Sequence, residues 1–231
     1  MIERDVFVSA LPDVLSGFVQ TLMLVSLSYG VAFALSLVWL AFRFSGIPFL
    51  KGMVQGYSIF FRGTPLLVQL FLLYYGLSQF ETIQNSILWE GGLAEPLVCA
   101  LVALTLNASA YIAEILHGGI QAIPKNSLDA ARSFGMSPLV MARRIVIPLA
   151  FRNSLGGLNN EWILLIKGSA VASTITLMEL TGVTRTLIAR TYSPFEFYGL
   201  ACLLYFTLSL TSNRIFSHLE RRFQKQTCRH A

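Results

Sequence analysis

From Val14 to Phe42 the chain carries no charged side chain, and few folds can hold such a stretch. A helix crossing the hydrocarbon core of a bilayer needs about 20 consecutive apolar residues, and this run exceeds that. It is too long for a signal-peptide core, and the residues before it (Glu3, Arg4, Asp5) do not form a basic leader. A retained membrane helix is therefore expected. Composition agrees: 55% of the 231 residues are hydrophobic and 13% charged, against roughly 45–50% and about 25% in soluble domains. A soluble chain this short could not hide that much apolar surface.

Four further apolar runs follow: after Lys51 to near Phe80, from Pro96 to Leu116, from Asn153 to Ser173, and from Phe197 to Phe216. Arg62 interrupts the first of these near its start. No long-period repeat or low-complexity linker divides the chain, so residues 1–231 are expected to form one all-α membrane domain with about five transmembrane helices.

Charge placement assigns the sides. The N-terminal tail sets Arg4 against Glu3, Asp5 and Asp13. The first connection holds Arg43, Lys51 and Arg62 without an acid, and the second holds Glu81, Glu90 and Glu95 without a base. The third sets Lys125, Arg132, Arg143, Arg144 and Arg152 against Asp129, and the fourth sets Arg185 and Arg190 against Glu179 and Glu196. The tail adds Arg214, Arg221, Arg222, Lys225 and Arg229 against Glu220. This alternation puts the N-terminus outside and the C-terminus in the cytoplasm. The net charge of +5 is then a topology signal. The bases flank apolar spans, which argues against a nucleic-acid surface; those of the tail suit solvent or anionic lipid headgroups of the membrane. Cys99, Cys202 and Cys228 show neither a disulfide framework nor metal-ligand spacing.

The third connection, residues 118–152, is the one cytoplasmic segment large enough to fold on its own. Asn126 can cap a short helix, with Asp129 three residues on. Leu128, Ala131 and Phe134 can form its apolar face, and Gly135 can end it in a left-handed conformation. Ser137 and Pro138 restart a helix through Met141, Ala142 and Ile145, and Pro148 is expected to redirect the chain towards the fourth span. An apolar ridge beside arginines suits docking to another protein; an inert connector is the other reading.

Here the residues resemble a known family. Asp129-Ala130-Ala131, three residues, Gly135, nine residues, and Ile145-Val146-Ile147-Pro148 are similar to the "EAA" signature of ABC-importer permeases, with Asp129 for Glu and Ile147 for Leu. Phe61-Arg62-Gly63-Thr64-Pro65-Leu66-Leu67-Val68-Gln69 resembles the "RGTP" element of the polar-amino-acid group. Leu104-Thr105-Leu106-Asn107, Ala110-Tyr111 with Glu114, and Asn159-Asn160-Glu161 with Lys167 look like the same group, closest to M-type permeases of histidine and octopine/nopaline uptake. The resemblance implies a type I ABC importer permease of the bacterial inner membrane, translocating a polar, basic or opine-type amino acid. It implies a second, Q-type permease chain, an ABC ATPase dimer and a periplasmic solute-binding protein. Asp129, Ala130, Ala131, Gly135, Ile145 and Pro148 would couple to the ATPase. No phosphate-binding G-x-x-x-x-G-K-[ST] loop occurs, so ATP and Mg are expected on the partner and no cofactor, metal or catalytic residue on this chain.

Ionisable groups at membrane depth are costly and invite functional readings. Asn107, Tyr111 and Glu114 share one face of the third span, Asn160 and Lys167 share one on the fourth, and Glu161 lies about 100° from Asn160. Asn107, Tyr111, Glu114, Asn160 and Glu161 are candidates for the substrate path, since a carboxylate meets an ammonium or guanidinium and amides and hydroxyls meet polar backbone. Helix–helix bonding is the alternative, and Glu114 and Lys167 can snorkel to the cytoplasmic boundary. Arg62, Gly63, Thr64, Pro65 and Lys167 are possible gate or structural residues, Arg62 with Gly63-Thr64-Pro65 as a hinge or as an anchor at the boundary. The rival functions are an ion-driven secondary transporter, which discontinuous helices and an inverted repeat would favour and five unlike spans do not, and a membrane scaffold or sensor that recruits a protein without transport.

Overall fold

A computed structural model describes residues 4–87 and 89–228; no strand occurs among them, and Glu3 and Arg229 lie outside them. In chain order the helices are α1 (Arg4–Phe44), α2 (Pro48–Gly63), α3 (Leu66–Phe71), α4 (Glu81–Gln84), α5 (Pro96–Gln121), α6 (Lys125–Ser133), α7 (Pro138–Met141), α8 (Ile147–Ser169), α9 (Leu180–Thr191) and α10 (Pro194–Cys228). α1, α5 and α10 are each long and apolar enough to cross a bilayer. Two bent pairs, α2 with α3 and its extension, and α7–α8 with α9, raise the number of candidate spans to five.

α1 shows why the chain needs lipid. Val14, Thr21, Leu24, Val25, Ser28, Ala32 and Ser36 are buried along one side. Leu15, Val19, Met23, Leu27 and Val31, four apart on another side, are about half exposed. A helix apolar all round must bury both faces, one in protein and one in acyl chains. Between helices in lipid there is little hydrophobic drive, so small residues that let backbones approach carry the packing.

α5 is the central helix, against which α1, α2, α3 and α8 pack. Its crossing with α8 depends on two glycines. A Cβ on Gly119 would strike the Ser154 hydroxyl and come within 2.6 Å of the Ala150 carbonyl, and one on Gly157 would come within 2.7 Å of Ile115.

The hydropathy pattern shows no discontinuous span, but the second span is broken. α2 ends at Gly63, Thr64 and Pro65 are extended, and α3 leaves at 104° to α2. α3 then continues through a π turn (Leu72–Gly76) and a 3-10 turn (Leu77–Gln79). Pro65 causes the break: it lacks an N–H, and its ring disfavours helical geometry in Thr64.

The connection after α5 departs from expectation in three places. Asn126 does not cap α6. Extended Pro124 occupies the cap position, so the helix begins at Lys125 with Asn126 already inside. Ser137 does precede α7, yet its side chain makes no capping bond. Nor does Pro148 redirect the chain. α7 passes through a π turn (Ala142–Val146) into α8, and that wider turn just before Pro148 absorbs the ring and the missing donor. Gly135 behaves as read, with φ +69°. Around it the Gly135 and Met136 N–H groups bond back to the Arg132 and Ala131 carbonyls. Phe134 and Leu139 on either side are 83% and 79% exposed.

Gly119→Val should lower the melting temperature of the purified protein in detergent by several degrees. Gly118→Ala, which faces open space, should leave it unchanged or raise it slightly. Equal melting of the two variants would show that the close crossing is not required.

Candidate functional site

The break at Pro65 creates a problem that neighbouring side chains solve. In an unbroken helix the residue-65 N–H would bond to the Phe61 carbonyl; at membrane depth no water replaces it. Gln69, only 4% exposed, donates its Nε2 to the Phe61 carbonyl (2.9 Å), the Thr64 carbonyl (3.1 Å) and the Thr64 hydroxyl (2.6 Å). Asn107 Nδ2 on α5 donates to the same Phe61 carbonyl (3.0 Å) and to Gln69 Oε1 (3.0 Å). The Tyr111 hydroxyl reaches the Arg62 carbonyl at 3.4 Å. Tyr57, on α2, bonds to the Leu106 carbonyl and to Ser109, both at 2.7 Å. α5 thus gives the broken helix two donors, Asn107 and Tyr111, and accepts one from it through Tyr57.

One turn below Tyr111, Glu114 ties three elements together. Arg43 Nη1, at the end of α1, donates to it at 2.6 Å and the Ser58 hydroxyl of α2 at 3.0 Å. Arg62 Nη1 is 3.9 Å from its other oxygen. A cavity of about 720 Å³ opens here, walled by Arg43, Lys51, Gln55, Ser58, Arg62 and Glu114. The contacts of Glu114 are with Arg43 of α1 and Ser58 of α2, those of a group that pairs helices.

Glu161 differs. It is 4% exposed on α8, and among the described residues no hydrogen bond reaches its carboxylate. It lines a smaller cavity of about 180 Å³ with Leu66, Asn107, Tyr111, Leu164 and Leu165. A cavity near 150 Å³ is already large enough for a benzene-sized guest. The Arg62 guanidinium lies over the ring of Tyr111, which shares this cavity with Glu161, at 5.5 Å.

The structure thus gathers Asn107, Tyr111 and Glu161 at one cavity, with Arg62 beside it, and sets Glu114 apart at the larger one. Asn160 and Lys167 join neither. Both are exposed on the α8 face that also carries Asn153, Gly156 and Leu164. Lys167 stands about 30 Å along the helix from Ile147, at the end away from the 118–152 connection, so snorkelling would take it to the opposite boundary from the one expected. Gly63 and Thr64 form the break itself. In the connection, Asp129 is exposed and pairs with Arg132 at 2.9 Å, Ala131 is buried, and Ile145 lies in the π turn. No trio of His, Cys, Asp or Glu converges as a metal set among the described residues.

Two groups escaped the sequence reading as structural partners. Gln69, four residues after Pro65, was legible only as a donor spaced to meet the orphaned carbonyl. Glu179, fully buried, caps α9 by accepting from the Gly182 N–H (2.9 Å), and also accepts from the Tyr205 hydroxyl (2.8 Å). The Thr21 hydroxyl lies 3.2 Å away. Only the Glu-to-Gly182 spacing of a capped helix start hinted at it.

Residues 32–225 match the family model for the binding-protein-dependent transport system inner membrane component. The chain is 42% identical to the octopine transport system permease protein OccM of Rhizobium meliloti, over 89% of this chain and 84% of that one. It is 34% identical to the histidine/lysine/arginine/ornithine transport system permease protein HisM of Salmonella typhimurium, over 90% and 88%. A solved amino acid ABC transporter with histidines superposes with a TM-score of 0.85 at 35% identity, covering 96% of this chain and 99% of that one.

Gln69→Leu should cost stability, because the Thr64 carbonyl loses its side-chain donor and Asn107 loses an acceptor, and a buried polar group left unpaired costs about 1–3 kcal/mol. Gln69→Glu, similar in shape but unable to donate when ionised, should melt at least as early. Unchanged melting in both variants would mean that the break finds its donors elsewhere.

Proposed function

The chain belongs to the family of binding-protein-dependent transport system inner membrane components, and on that premise we propose where cargo passes and how the passage is driven. It is the multi-pass permease subunit of an ABC importer for polar amino acids in the inner membrane. The broken second span by itself would suit an ion-driven carrier, but the family match runs against that reading and against a non-transporting scaffold.

The cargo site is the cavity of Asn107, Tyr111 and Glu161. The observation that carries this is the Glu161 carboxylate, almost fully buried, without a hydrogen bond among the described residues, and open to a cavity. A cationic amino acid or opine would supply the missing partner, its ammonium or guanidinium meeting the carboxylate. The named cargoes of OccM and HisM, octopine and the histidine/lysine/arginine/ornithine set, all carry such nitrogen groups. Asn160, on the exposed α8 face, would line the passage shared with a second, Q-type permease chain. Glu114, Arg43 and the Thr64-Pro65 break hold the wall around it.

Residues 1–231 act as one permease domain, N-terminus outside and C-terminus cytoplasmic, with 118–152 as the coupling segment. An ABC ATPase dimer carrying ATP and Mg docks there, and a periplasmic binding protein delivers cargo on the other side. The exposed Phe134 and Leu139 flanking Gly135 give the ATPase an apolar hold. Asp129, Ala130 and Ala131 shape α6 beside them, and Ile145 and Pro148 stand where the segment enters α8. Since α7 runs on into α8, a push at Pro138 travels about 35 Å of helix to Glu161 without crossing a loop.

Proteoliposomes holding the full complex and loaded with ATP test both ends. Glu161→Gln should reduce uptake of labelled arginine by tenfold or more while the complex still assembles; wild-type uptake would sink the cargo site. Gly135→Val places a β-branched residue at positive φ. It should abolish cargo-stimulated ATPase activity and uptake with the spans still inserted, and normal values for both would refute the coupling role.

A further inference from the structure

Arg62 stands between the two cavities and is loosely held. It lines the larger cavity, and it covers the ring of Tyr111, which walls the smaller one. Its contacts are long: 3.9 Å to Glu114 and 3.4 Å to the Ser58 hydroxyl, which itself donates to Glu114. Arg43 already neutralises Glu114 at 2.6 Å, so Arg62 is surplus to that pair. Its side chain is 43% exposed, and it sits in the last turn of α2, directly before the bend. Across the Tyr111 ring, in the cavity that Tyr111 walls, lies Glu161, a carboxylate that a membrane interior does not tolerate without a counter-charge.

We propose that Arg62 is a resident competitor of the cargo: in the empty state its guanidinium supplies the positive charge that Glu161 needs, and a cationic amino acid displaces it on entering the cavity. The exchange keeps the number of charges facing Glu161 constant, so the carboxylate is never bare. Because cargo must outbid a built-in cation, the site binds weakly and releases readily. Displacement also moves the side chain that separates the small cavity from the large one. This rests on Glu161 being the cargo site. It adds a specificity-determining residue that need not touch the cargo.

The test is equilibrium binding to the detergent-solubilised complex of both permease chains and the ATPase, without the binding protein. The probes are radiolabelled L-arginine and L-citrulline, equal in length, one cationic and one neutral. Arg62→Gln should tighten arginine binding by about tenfold and leave citrulline unchanged; Arg62→Lys should stay close to wild type. A structural role would weaken both ligands together, and that result, or no shift at all, overturns the competitor. Glu161→Gln separates the two ideas, since it should erase the preference for arginine over citrulline. If the preference vanishes while Arg62→Gln shifts nothing, only the competitor is wrong. If it survives, the cargo site and the competitor both fall.

Discussion

Pro65 has no N–H, and much of the membrane interior is arranged around that absence. Without a donor the Phe61 carbonyl would face a medium that offers no water, a cost of several kcal/mol. Gln69 and Asn107 answer it from two sides, and Tyr111 reaches the neighbouring Arg62 carbonyl. The repair draws α5 against the break and fixes where α2 must end. Glu114 is then close enough to collect Arg43 and Ser58. One unmade helical bond thus sets the relation of three spans and leaves a cavity beside them.

Features that depend on near neighbours in sequence were legible. Gly135 was readable because a helix end that turns back needs positive φ, which glycine adopts without penalty. The apolar runs were readable because span length follows from bilayer thickness. Asn126 misled because Pro124, two residues earlier, starts the helix sooner than a capping side chain would. Pro148 misled because a π turn leaves no mark in composition. The face of Asn107, Tyr111 and Glu114 was right as geometry, but its members part company through contacts with α1 and α2 that no local pattern encodes. The Glu179 knot lies 158 residues from Thr21, beyond any spacing rule.

Asn107 and Tyr111 therefore hold two positions at once: they brace the break and wall the cavity of Glu161. Cargo that pulled on either would loosen the repair of α2, and a shift of α2 would reshape the cavity. With cargo at the proposed site, gating and binding would be bound together by these shared hydrogen bonds, without needing a separate relay. The large cavity at Glu114 adds a boundary where Arg43 fixes α1 to the same assembly.

α1 spans 41 residues, about 60 Å of helix, whereas a bilayer with its headgroups is about 40–45 Å thick. With Arg43 at one boundary, the first three or four turns stand clear of the lipid unless the helix leans by about 40°, the limit of usual tilts. On those turns Ala10 and Val14 pack with Leu180, Leu187, Phe197 and Ala201 in a small core separate from the main one. That core draws on α1, α9 and α10, so this end of the bundle can loosen while the packing of α1, α5 and α8 around the main core stays intact.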